Sequence, residues 1–484
     1  MRKVSKFNAG LALGSLTAVV ALFAGASVAS AQTAPGTDNT QVSQAAGAPS
    51  SAQVAQAAPG FDTSVAGQAA PGGGSFPGSF LVPGTNTSLK IGGFAKLAIM
   101  DDLGATNTVS PDVISDGDIA LRGGTNSSLH GNWNFSPRQS SFFFDARTPT
   151  SYGELDTFIQ ADFFGQNISN SFGASNTRNA RLVLAYGTLG PLLGGQTLSL
   201  WFDGDALGES VDPTASVGTM NGLTNRQGTV RYTYVAAGGL SFAGAVEQPN
   251  VEGVDNGGLS NTITAGGAAA SGVAGSANAY AQKYPDFVAK ARWDQPWGHI
   301  ALSGVLRNQQ VVTNGVARYD DSPGWGTYLS GHLNTFGKDT LRGGFMIGQA
   351  LGHYLSDMGS AAGIETNSDA PGGVTNDTAV TKPISYGANA SYTHWWTDQL
   401  RSTAMGGYSK VNVNTTSIIT LASAQNGLDK EHIAGTANLI WSPVPQVDLG
   451  IEYTHYVRMV AGPFENTQSR GHMDRIEAET VFKF

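Results

Sequence analysis

The sequence predicts an all-β protein: a transmembrane antiparallel β-barrel of about 16 strands, with short periplasmic turns and long extracellular loops. Three observations carry this expectation. In the last ten residues, Ile476, Ala478, Thr480, Phe482 and Phe484 share one face of a strand, while Arg475, Glu477, Glu479 and Lys483 share the other. Charged residues make up only 13% of the 484-residue chain and 64 residues are glycine, which suits a lipid-facing sheet wall better than a soluble globule. From Ser88 onward, alternating segments are joined in turn by tight polar turns and long polar stretches.

Residues 1–31 have the three parts of a secretory signal. Arg2, Lys3 and Lys6 are the basic start, Leu11 to Phe23 the apolar stretch, and Ala29-Ser30-Ala31 the small-residue cleavage site. An uncleaved anchor is the competing reading, but the apolar stretch is short and alanine-rich. No later segment approaches the roughly 18 apolar residues of a spanning helix. Residues 32–84 repeat phrases such as Gln56-Ala57-Ala58-Pro59-Gly60 and Gln68-Ala69-Ala70-Pro71-Gly72 without apolar periodicity. They read as a disordered Ala/Gly/Pro/Gln-rich periplasmic segment, with tethering to peptidoglycan as a functional alternative. Residues 85–484 then form the barrel domain.

Tight turns are expected at Pro149–Gly153, Gly190-Pro191, Ala236–Gly239, Asp294–Trp297, Thr335–Asp339, Thr397–Gln399 and Ser442–Gln446. The long segments are 101–137, 165–177, 201–225, 248–285, 310–323, 351–382, 412–430 and 459–473. Alternation supports the strands between them. Leu89, Ile91, Ala95, Leu97 and Ile99 oppose Lys90 and Lys96; Val230, Tyr232 and Tyr234 oppose Gln227, Thr229 and Arg231. Beside the tight turns lie Tyr186, Tyr234, Trp293, Trp297, Trp395, Trp396 and Trp441, read as an interfacial girdle. A soluble sandwich or propeller would need a denser apolar core and compact loops at both ends.

Several stretches resemble the DcaP-like outer-membrane porins. They are Val82 to Phe94 with Lys96 beyond, Arg138-Gln139-Ser140-Ser141-Phe142, Asp145-Ala146-Arg147-Thr148-Pro149-Thr150, Gly153-Glu154-Leu155 and Ala161 to Gly165. Further on, Arg178 to Arg181, Gly195-Gln196-Thr197, Phe202-Asp203 and Arg226-Gln227 continue the likeness, which covers roughly residues 80–235. The resemblance implies a trimeric outer-membrane channel for small, mostly anionic, organic solutes. Two features depart from it: residues 32–84 carry no heptads, and Leu198-Ser199-Leu200-Trp201 lacks the expected pattern.

In sixteen-stranded porins the third loop folds into the lumen, so the segment 201–225 should present Asp203, Asp205, Glu209 and Asp212 there. Across from these acids the pore's basic wall is expected to offer Lys96, Arg147, Arg181 and Arg231, with Arg138 and Arg226 at the pore mouth. Facing rows of opposite charge orient dipolar solutes and tune ion selectivity, and arginine forks hold a carboxylate loosely. That chemistry needs no cofactor and no metal. The alternative is charge that merely solvates the wall.

The expected function is a passive water-filled channel for small hydrophilic solutes, organic acids such as dicarboxylates. An outer-membrane enzyme is disfavoured, because the eight histidines show no ligand-like pair spacing and no G-x-S-x-G motif is present. A structural or adhesive barrel is the remaining alternative. The chain has no cysteine, and removing the signal's three positive charges moves its formal charge from -9 to about -12, which argues against nucleic acid. Expected partners are outer-membrane lipid and lipopolysaccharide, small anionic or polar solutes, and two further copies in a homotrimer. The expected location is the bacterial cell outer membrane.

Overall fold

The computed structural model describes residues 73–104, 119–124, 127–129, 131–165, 179–212, 225–249, 252–255, 263–264, 278–279, 284–313, 316–366, 380–413, 428–461 and 468–484. The expected signal peptide and residues 32–72 lie outside the described residues.

Sixteen strands follow one another around a cylinder. They are β1 (Ser88–Gly104), β2 (Ser141–Thr150), β3 (Gly153–Asp162), β4 (Arg181–Leu189), β5 (Leu192–Leu198), β6 (Arg226–Val235), β7 (Leu240–Glu247) and β8 (Asp286–Gln295). The second half comprises β9 (Gly298–Thr313), β10 (Val316–Asn334), β11 (Thr340–Gln349), β12 (Ile384–Trp395), β13 (Leu400–Val411), β14 (Leu428–Val444), β15 (Val447–Ala461) and β16 (Arg470–Lys483). Each pairs antiparallel with the next, and β16 returns to β1 with Ala95 opposite Phe482. Across this seam the Phe484 N–H donates to Gly93 O at 3.0 Å. Closure leaves the barrel wall without an edge, the condition for a sheet to cross hydrocarbon.

Side-chain period sorts the wall. On β1, Ile91 and Leu97 point outward and are exposed, whereas Lys96, Ala98, Met100 and Asp102 point inward and are buried. The same parity puts Val230, Tyr232 and Tyr234 outside and Thr229 and Arg231 inside on β6. At the tight-turn end, Trp293, Trp297, Trp396 and Trp441 form an outward girdle. Two girdle candidates turn inward instead. Trp395 has the parity of Ser391 and Thr393 and sits under the Arg401 guanidinium at 5.3 Å. Tyr186 stacks on Phe158 at 5.5 Å, which stacks on the buried Phe143 at 5.4 Å.

The tight connections fall at the expected places, for example 151–152, 190–191 and 445–446. One long segment differs. Residues 310–313 and 316–323 continue as paired strand, with Thr313 opposite Val316, because the Val311-Val312-Thr313 run favours extended backbone over loop. Residues 73–84, assigned by composition to the linker, fold against β1. Phe80–Leu81 pairs with Ser88–Leu89, and the Phe76 ring lies 4.1 Å from the Arg147 guanidinium carbon.

The Thr335–Asp339 turn is held by one carboxylate. Asp339 accepts hydrogen bonds from Trp395 N at 2.9 Å, Tyr392 Oη at 2.8 Å and His394 Nδ1 at 2.7 Å. Burial would raise this carboxyl, but His394, Trp395 and Tyr392 together hold it below the ordinary carboxylate range. Asp339→Ala is therefore expected to destabilise the barrel by about 1–3 kcal/mol, read from urea unfolding in detergent, because three donors lose their acceptor.

Candidate functional site

The bore is narrowed by two inward segments. The first, residues 199–212, leaves β5 at Leu198 and enters the barrel because Leu200, Trp201 and Phe202 have nowhere else to bury; all three are nearly inaccessible. Glu247 fixes the start, taking hydrogen bonds from Ser199 Oγ at 2.6 Å and Leu200 N at 2.7 Å. The second segment, residues 351–362, follows β11 and supplies Leu351, Tyr354, Leu355, Met358, Ala361 and Ala362 to the same apolar cluster. Trp201 joins them: its Nε1–H donates to Tyr354 O at 3.1 Å, and its ring packs 5.8 Å from those of Tyr328 and Tyr354. Gly326 on β10 makes room, since a Cβ there would stand 2.5 Å from Leu351 and 2.9 Å from Trp201.

The first segment then runs along the inner wall, and each of its acids meets a wall group. Asp203 Oδ2 lies 2.6 Å from His299 Nε2 and 2.7 Å from Ser330 Oγ. With Nε2–H donating to the carboxylate, His299 Nδ1 is left to accept from His332 Nδ1 at 2.7 Å. Burial would raise the Asp203 carboxyl, but His299, Lys290 and Ser330 hold it well below the usual carboxylate range. Asp205 pairs with Arg292 at 2.8 Å, and Glu209 takes the Arg401 fork, with Nε at 2.6 Å. His299 and Arg401 stand one residue inside β9 and β13, so the segment reaches the tight-turn end here. It then rises to mid-barrel, where Asp212 lies 3.9 Å from Arg475 and Glu452 grips the tip through Ser210 Oγ at 2.8 Å and Val211 N at 2.9 Å.

Asp203, Asp205 and His299 bring ligand-type atoms within 4.8 Å of one another. Arg292 already spans both carboxylates, at 3.5 and 2.8 Å. A metal ion would have to displace a guanidinium, so this group is an ion-pair network.

The predicted basic residues occupy several settings. Lys96 is buried and clamps the loop tip, bonding Val211 O and Glu479 at 2.7 Å. Arg231 is buried and donates to Leu198 O at 2.9 Å, steadying the departure of the inward segment. Arg147 lies on the inner face, paired with Asp145 at 2.9 Å and reaching Glu154 at 3.8 Å. Arg181 pairs with Asp162 at 2.6 Å. Arg138 and Arg181 both lie over the Phe164 ring at the loop end, at 4.7 and 5.2 Å. Arg226, on the loop end of β6, has the outward parity of Val230.

Lys96 and Arg231 thus hold the inward segment, while Arg147, Arg181 and Arg138 line the arc β2–β4 away from its acids. Arg181 shares a face with Leu184 and Tyr186 rather than Val183, because a register shift beside Gln160 inserts one residue into β4. Of the acids' wall partners, Lys290, Arg292, His299 and Arg401 escaped the sequence reading, and Arg475 was placed only on the charged face of the closing strand. Alternation of Val288, Lys290 and Arg292 could have flagged the first two as inward-facing.

A closed sixteen-stranded barrel with charged segments folded into its bore defines a membrane channel. The chain matches the family described as "Porin subfamily" over residues 77–477 and belongs to that porin family, a family of outer-membrane proteins. It is similar to the outer membrane channel DcaP of Acinetobacter baumannii at 16% identity, covering 84% of this chain and 99% of that one, with a TM-score of 0.65. OmpT of Vibrio cholerae aligns at 8% identity, 84% and 100% coverage and a TM-score of 0.47. The anion-selective porin of Comamonas acidovorans aligns at 8% identity, 82% and 100% coverage and a TM-score of 0.45. No curated protein matches the chain.

Proposed function

We propose that this porin is a passive, water-filled diffusion channel selective for small organic acids, dicarboxylates among them. The observation that carries this reading is the disposition of charge. The inward segment's acids Asp203, Asp205 and Glu209 each pair with a wall base or histidine. Arg138, Arg147 and Arg181 stand apart from that segment, two of them at the loop-end mouth. Arginines on one arc attract carboxylates, and their existing carboxylate and ring contacts keep the hold weak enough for passage.

On this reading residues 1–31 are a cleaved signal, the tight turns face the periplasm, the long connections face outward among lipopolysaccharide, and three copies assemble. The test is planar-bilayer recording of the purified protein in a salt gradient. Discrete steps are expected, with reversal potentials that favour anions. Replacing Arg147 and Arg181 together should shift selectivity towards cations. A barrel that passes no current would be a structural or adhesive protein instead. Unchanged selectivity would remove these two arginines from the filter.

A further inference from the structure

At the tight-turn end, part of the inner face is covered by chain that precedes the barrel. Ser88, the first residue of β1, shares the inward parity of Lys96 yet is only 2% exposed. Residues 74–79 lie over it. Ser75 N–H donates to Ser88 Oγ at 2.9 Å, and a Cβ on Gly78 would stand 3.4 Å from Cε of the inward-facing Lys90. The Phe76 ring lies 4.1 Å from the guanidinium carbon of Arg147, near the end of β2.

This strap is closed on itself. Ser79 donates its N–H and Oγ–H to Phe76 O at 3.1 and 2.6 Å, and Gly73 bridges to Phe80 across the base of the loop. Gly73 and Gly78 hold φ of 74° and 76°, which the absence of a side chain permits. The hold on the wall is slighter. Asp145 already takes the Arg147 fork at 3.1 and 2.9 Å, and Glu154 lies 3.8 Å away, so the Phe76 ring meets a guanidinium whose charge is paired. The ring can leave it without stranding a charge, and water can replace Ser75 N–H at the Ser88 hydroxyl.

We propose that residues 74–79 are a gate at the tight-turn mouth, latched by Phe76 on Arg147. Docked, the strap narrows the mouth and covers Lys90 and Arg147. Released, it swings on Phe80–Leu81, which stay paired with Ser88–Leu89, and leaves both bases open to the bore. Gly73 and Gly74 on the upstream side supply the backbone freedom that release needs. Because a gate acts only where solute passes, this rests on the channel reading.

In planar bilayers the full chain should switch between two conductance levels. Phe76→Ala should shorten the dwell in the lower level about fivefold, and Phe76→Tyr, which keeps a ring, should restore it. The chain has no cysteine, so Ser75→Cys with Ser88→Cys forms a lone disulfide. That variant should stay in the lower level until dithiothreitol is added. A second readout needs no current: phenylglyoxal, an arginine reagent, should modify Arg147 about fivefold faster in Phe76→Ala than in wild type, located by peptide mass. Equal dwell times in Phe76→Ala and wild type, or two levels that persist in the disulfide-bonded variant, would overturn the proposal. Current with equal Arg147 labelling would end the gate alone, whereas a protein that passes no current would end the channel reading and the gate together.

Discussion

Trp201→Ala should open the channel: its single-channel conductance is expected to rise severalfold, with frequent flicker. The ring is wholly buried between Tyr328 and Tyr354 and is the main apolar link between the two inward segments. Truncating a buried tryptophan costs about 3–5 kcal/mol, a loss that falls on the inward segments rather than on the ladder of sixteen strands. The Tyr354 carbonyl also loses its donor. With the apolar anchor gone, residues 203–209 keep their polar contacts to the wall, the ion pairs to β8, β9 and β13 and the hydrogen bonds from Ser330 and Asn438, and salt screens the ion pairs where they are exposed. The rise should therefore grow with ionic strength beyond the simple increase in carriers. A variant that folds to the same β-sheet spectrum yet conducts like the parent would show that the constriction does not depend on this ring.

The barrel was legible because a wall between lipid and water imposes a period of two on every strand, and that period survives in the sequence whatever the neighbours are. Lys96, Arg147 and Arg231 could be placed inside on parity alone. Parity failed where the backbone slips: the register shift beside Gln160 changed the company of Arg181. It could not say what lies inside the bore. Trp201 meets Tyr354, and Glu209 meets Arg401, across separations of 153 and 192 residues, contacts that no local pattern encodes. The second inward segment was read as an ordinary loop for the same reason. Its apolar residues Leu351, Tyr354, Leu355 and Met358 recur at spacings of three and one, which a short run cannot distinguish from chance. The acids of the first segment were visible as a group, but their partners lay on strands whose inner faces had not been lined up against them.

Arg307→Ala is expected to release that second segment and to cost about 3–5 kcal/mol, because it strands a buried acid. Arg307 and Asp286 are both nearly inaccessible and bond at 3.1 Å. The same guanidinium donates to Ala350 O at 3.1 Å and to Leu351 O, and lies 5.0 Å from the Tyr354 ring. It caps the point where the chain leaves β11 and turns inward, through Ala350 and Gly352 at φ of 52° and 53°. Ala350 is not glycine, so this left-handed turn is strained and needs the capping donors to persist. Two consequences can be separated. Stability, read from the urea midpoint, should fall in Arg307→Ala and recover in large part when Asp286→Asn is added, since the stranded charge is then removed. Conductance should rise in both, because Asp286→Asn restores no donor to the Ala350 and Leu351 carbonyls. If the double variant instead recovered both properties, the charge alone would position the segment. If Arg307→Ala changed neither, the apolar cluster around Trp201 would hold the segment without this latch.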